Sequence, residues 1–84
     1  MILARNDEVL VRRHHGELTL VFDDTLYKLN AVGEDVWRMV DGKKTQGDLI
    51  QSMCGLYDAD KGEIGSDIEG FLSDLIRDGL VFEK

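Results

Sequence analysis

The sequence predicts an α+β fold in which strands come first and helices follow. Apolar residues in the first third recur on a two-residue period, and those in the remainder recur at three and four. The breaks between these runs are marked by Gly, Asp or Asn, and the chain contains no proline.

Val9-Leu10-Val11 predicts a first short strand, and His14-His15-Gly16 a turn in which Gly16 takes positive φ. Leu18, Leu20 and Phe22 alternate on one face of a second strand. Asp23-Asp24 signals a tight turn, and Thr25 to Leu29 a third strand with Tyr27 and Leu29 on a shared face. These three N-terminal antiparallel strands form a meander. Asn30 suits the N-cap of a first helix carrying Val32, Val36, Trp37, Met39 and Val40, which Asp41-Gly42 stops. Thr45 with Asp48 caps a second helix whose buried stripe is Leu49, Ile50, Met53 and either Leu56 or Tyr57. A polar loop over residues 58–65 leads to Ser66-Asp67-Ile68-Glu69, a capping-box pattern that predicts the start of a third helix with Ile68, Leu72, Leu75 and Ile76 inward. Gly79 ends it, and Leu80-Val81-Phe82 leaves as an apolar tail.

A chain of 84 residues predicts a single domain spanning 1–84, with a modest core. Its 43% hydrophobic and 32% charged residues fall in the globular range. No apolar run suits a membrane span, and Arg5, Asp7 and Glu8 interrupt Met1-Ile2-Leu3-Ala4 before it becomes a signal-peptide core, so the expected location is cytoplasmic. The single cysteine, Cys54, excludes an internal disulfide and falls in an amphipathic helical pattern as a small hydrophobe. A net charge of −7 argues against nucleic-acid and anionic-membrane partners and favours a basic one.

Catalytic and metal constellations are missing. Asp58-x-Asp60 with Glu69 is a poor calcium loop, because Glu63 stands where the sharp-turn glycine belongs. His14 and His15 are adjacent and diverge, with no third ligand placed. There is no nucleophile elbow, phosphate-binding glycine loop or Cys-x-x-Cys pair. The chain is therefore expected to be no enzyme and to carry no metal or cofactor.

Two surfaces are candidates for binding. Asp67, Asp74 and Asp78 align beside Phe71 on one flank of the third helix's core stripe. Asp74 and Asp78 are like charges four apart, and Asp78 sits where the helix dipole disfavours an anion. The line is either a solvated acidic face or the rim of a groove for a peptide bearing Lys or Arg. The other surface is the third strand, whose outer edge is open in a meander unless the tail covers it, with Lys28 discouraging indiscriminate pairing.

The residues Tyr27-x-Leu29-Asn30, Gly33, Val36-Trp37, Asp41-Gly42 with Thr45, and Asp67-Ile68-x-x-Phe71-Leu72-x-x-Leu75 with Gly79-Leu80 give the chain a family likeness over nearly its whole length. It resembles PqqD and the RiPP recognition elements. The resemblance implies a winged helix-turn-helix-like fold with three N-terminal strands and three helices. It also implies that the leader of a ribosomally made precursor peptide adds as a strand to the third strand and packs against the third helix. On this sequence the implied peptide-binding residues are Leu26, Tyr27, Lys28, Leu29, Asp67, Phe71, Asp74, Leu75 and Asp78. The implied partners are the precursor leader and a modifying enzyme, often a radical SAM protein. The rival readings are a winged-helix nucleic-acid-binding regulator, which the carboxylates on the third helix oppose, and a structural or oligomerisation module.

Overall fold

The computed structural model describes residues 1–58 and 60–84. Its elements run β1 (Leu3–Arg5), β2 (Leu10–His14), β3 (Glu17–Phe22), β4 (Thr25–Leu29), α1 (Ala31–Met39), α2 (Gln46–Tyr57), α3 (Lys61–Arg77) and β5 (Val81–Glu83). The meander is present as the antiparallel sheet β2-β3-β4. Its two connections have positive φ at both central residues, 52° and 83° at His15-Gly16 and 51° and 62° at Asp23-Asp24, as a type I′ turn requires. These turns set the register: His14 faces Glu17, and Phe22 faces Thr25. Leu18, Leu20 and Leu29 consequently share the inner face and are buried, with Phe22 and Tyr27 packed at its margin.

Three helices complete the core with that face. The Asn30 side chain accepts from the Gly33 N–H and starts α1, which buries Val36 and Trp37. Thr45 and Asp48 form a reciprocal capping box on α2, and Leu49 and Met53 reach the core. The expected end of that stripe does not form. Leu56 is 58% and Tyr57 38% exposed, and the Tyr57 hydroxyl instead donates to the Asp35 carboxylate on α1.

The third helix begins earlier than Ser66. Asp60 caps it by accepting from the backbone N–H groups of Gly62 and Glu63, so Ser66-Asp67-Ile68-Glu69 lies inside the helix. The added turn buries Ile64 and Gly65 ahead of Ile68, Leu72 and Leu75. Gly65 marks a close approach of helices: a Cβ there would stand 3.4 Å from Ile50 Cγ2. Of the loop expected over 58–65, Ala59 lies outside the described residues.

The strand count also departs from three. Among the described residues there are five strands in two sheets, the second formed by β1 and β5, with Leu3 facing Glu83 and Arg5 facing Val81. The expected apolar tail is β5, and it pairs with the chain's own beginning. Leu3 and Val81 join the core through this ribbon, while Phe82 stays half exposed. Local periodicity misses β1 because its partner lies at the far end of the sequence. β2 likewise starts at Leu10 and continues through the polar Arg12-Arg13-His14; Val9 precedes it, buried, with its N–H donated to the Asn6 carbonyl.

Candidate functional site

Among the described residues β4 is an end strand of its sheet, paired only with β3. A two-residue turn makes Phe22–Thr25 a hydrogen-bonded pair, and antiparallel alternation then makes Leu20–Tyr27 and Leu18–Leu29 hydrogen-bonded pairs as well. The backbone N–H and C=O groups of Leu26 and Lys28 therefore face away from β3. Both side chains are exposed, Leu26 at 67%. β4 thus presents an unpaired row of donors and acceptors on the outside and anchors itself through Leu29 on the inside.

The flank of α3 beside this edge is apolar at its centre and acidic at its margins. Phe71 is half-buried, and Asp67 and Asp74 are exposed one turn to either side. Phe71, Asp67 and Ile68 meet Asn30, Val32, Gly33 and Val36 of α1 around a cleft of about 240 Å³. Gly33 shapes its floor, since a Cβ there would meet Phe71 Cζ and Leu29 Cβ at 3.5 Å. The contribution of α1 was absent from the sequence reading; a glycine in the first turn of a well-capped helix was the available signal.

Asp78 differs from the other two carboxylates. It accepts a hydrogen bond from the Tyr27 hydroxyl and lies 3.5 Å from Arg77 Nε, so it has partners within the chain. The phenol's hydrogen bond holds the Asp78 carboxyl below the ordinary range, with Arg77 adding to the effect. The same bond raises the Tyr27 phenol above its ordinary value. Asp78 is also the C-cap residue of α3. This helix-end anion, disfavoured by the dipole, thereby clamps β4 to α3. Asp74 has a weaker partner in Arg77, at 3.3 Å with both side chains mostly exposed.

The residues implied for peptide binding thus fall into groups. Leu26 and Lys28 form the open edge, and Asp67 and Phe71 line the cleft. Tyr27 and Asp78 join the two elements. Asp74 is exposed on the helix flank. Leu75 does not line a groove: at 1% exposure its side chain belongs to the core, as does that of Leu29 at 4%.

A larger open depression of about 700 Å³ lies between β1, the loop after α1 and β5, with Arg5, Asp41, Phe82 and Lys84 in its walls. There Asp41 is held down to about 2 by hydrogen bonds from the Lys44 ammonium and the Lys43 backbone. Among the described residues, no three His, Cys, Asp or Glu side chains gather as a metal site, and no helix is long and apolar enough to cross a membrane.

The family model described as coenzyme PQQ synthesis protein D (PqqD) matches residues 17–81, which include β3, β4 and all three helices. This chain belongs to the PqqD family. Two solved structures resemble it over nearly its full length. One is TbiB1 in complex with the TbiA(beta) leader peptide, at a TM-score of 0.80 and 23% identity, covering 96% of each chain. The other is the PqqD truncation of Methylobacterium extorquens PqqCD, described as a functional, stand-alone RiPP recognition element. It has a TM-score of 0.77 and 23% identity, and covers 96% of this chain and 88% of its own. At that identity both likenesses bear on the fold. No curated protein sequence matches the chain.

Proposed function

We propose that this PqqD-family chain binds the leader of a ribosomally synthesised precursor peptide as an added strand on β4 and presents it to a modifying enzyme. The observation that carries the reading is the open β4 edge, with Leu26 and Lys28 facing outward, set beside the Phe71 cleft of α3. Main-chain pairing supplies affinity for any extended peptide. The cleft selects an apolar side chain, and Asp67 and Asp74 favour Lys or Arg next to it.

In this reading α2 and α3 stand as the helix pair of a winged helix-turn-helix layout and β2-β3-β4 as its wing. Asp67, Glu69, Asp74 and Asp78 make α3 a poor reader of phosphates, which favours peptide over nucleic acid. The chain itself is assigned no catalytic step. Chemistry belongs to the partner, a modifying enzyme such as a radical SAM protein, in the cytoplasm.

The test is amide hydrogen exchange of the chain with and without the leader of its own precursor. We expect slowed exchange at Leu26 and Lys28 on binding. Protection confined to other segments would move the site off β4.

A further inference from the structure

The outer face of the β2-β3-β4 sheet carries a side-chain pattern that pairing through the β4 backbone does not use. Glu8, Leu10 and Arg12 alternate along β2 and its approach, and Asp24, Leu26 and Lys28 alternate along β4 and its turn, each in the order acid, apolar, base. Register aligns the two series. Leu10 faces Val21 and Val21 faces Leu26, forming one apolar row across all three strands; Arg12 faces Thr19 and Thr19 faces Lys28, forming a basic row beside it. Leu10 is 54% exposed on this water-facing side. Glu8 and Asp23 line one shallow depression with Leu10 and Val21, which places the acids on the opposite side of the apolar row from the bases. Among the described residues, none of Glu8, Arg12, Asp23, Asp24 or Lys28 has an ion-pair partner within the chain.

We infer that this face is a self-association surface that receives a second copy of the chain. A two-fold axis along the apolar row lays Leu10, Val21 and Leu26 of one copy on the same row of the other. Because the rotation reverses the strand direction and keeps each strand over its counterpart, Arg12 comes to lie over Glu8 of the second copy, and Lys28 over its Asp24. The acids, in the turns that precede β2 and β4, lie across the apolar row from the bases, so the Arg12–Glu8 and Lys28–Asp24 contacts are attractive. Face-to-face packing of two antiparallel sheets is an ordinary arrangement. These local contacts work against the net charge of −7 that each copy carries, which adds to the weakness of the association. The dimer leaves both β4 edges unpaired and on the same side, so it is compatible with peptide addition.

A three-stranded face is smaller than the roughly 800 Å² per partner of a stable dimer, so association is weak and is sought at protein concentrations up to about 1 mM. Sedimentation equilibrium of the full chain is expected to show a reversible monomer–dimer equilibrium. Leu10→Ser, Glu8→Arg and Arg12→Glu should each weaken it about tenfold. The double variant E8R/R12E keeps the net charge and restores both contacts across the two-fold, so it should recover most of the wild-type association. Circular dichroism should show all four variants folded, since the substituted positions are exposed. A wild-type chain that remains monomeric throughout the range overturns the inference. So does a dimer indifferent to Leu10→Ser, or a double variant no better than the single ones. Leader binding measured on the same variants is expected to be unchanged, which keeps this result separate from the peptide reading.

Discussion

The Tyr27 hydroxyl donates a hydrogen bond to the Asp78 carboxylate, so the strand proposed to receive the peptide is held to the far end of the helix proposed to flank it. The bond lowers the Asp78 pKa and raises that of Tyr27. Stabilisation through Asp78 is complete above the ordinary carboxylate value of about 3.9 and is lost as pH falls through the lowered folded value. Stabilisation through Tyr27 is complete below about 10 and is lost as pH rises through its raised value. Tyr27→Phe should return the Asp78 pKa toward the ordinary range, read by NMR titration of the carboxyl carbon. An unmoved Asp78 would show that Arg77 alone sets it.

Lys28→Pro should leave the fold intact and weaken leader binding about tenfold, because the Lys28 amide points away from β3 and its loss removes only one hydrogen bond to the leader. Tyr27→Pro should damage the sheet itself by removing the ladder bond to Leu20. Calorimetry for binding and thermal unfolding for stability separate the two. Equal binding by wild type and Lys28→Pro would remove that amide from the peptide interface.

Phe71→Ala should weaken leader binding more than Asp67→Asn or Asp74→Asn, since exposed charge pairs contribute only about 0.2–1 kcal/mol and apolar burial supplies the larger share. Phe71 also packs on the core, so a stability loss of about 2 kcal/mol should accompany the change. Asp78→Asn should affect the Tyr27 contact more than affinity, because its carboxylate is already engaged. Titrations at low and high salt with parallel unfolding midpoints check this. Identical salt dependence for wild type and Asp67→Asn would make the acidic margin a solvated face.

Gly55→Ala and Gly70→Ala should each stabilise the chain by about 0.5–1 kcal/mol. Both lie in helices, and a Cβ at either meets nothing within 4 Å. Thr45→Ala should cost about 1 kcal/mol by opening the capping box on α2. Urea unfolding measures all three; a destabilised Gly70→Ala would point to a constraint on α3 beyond helix propensity.

Much of this architecture was legible because its signals are local. The Asp23-Asp24 turn, the Asn30 and Thr45 caps and the Leu18–Leu20 alternation each declare themselves within a few residues. Where competing local signals existed, the sequence misled: Ser66-x-x-Glu69 reads as a helix start, but Asp60 takes that role because Ile64 and Gly65 bury against α2. Partners distant in sequence were invisible. Nothing near Leu3 announces Glu83, and nothing near Asp78 announces Tyr27. The open edge of β4 was readable from the strand order alone, whereas the cleft needed α1 and α3 brought together.

The β1–β5 ribbon imposes an order on the making of the molecule. Hairpins β2–β3 and β3–β4 close within a few residues and can form as soon as they are synthesised, but Leu3 must wait for Glu83. During translation the first strand therefore remains without its partner until Val81 to Glu83 have been made. We expect Leu3→Ala to accelerate unfolding while leaving the refolding rate nearly unchanged, as for a contact formed after the barrier. A marked slowing of refolding would place the ribbon in the nucleus instead. A late clasp of this kind leaves the domain open, with its edge strand β4 already formed, until β5 has been made.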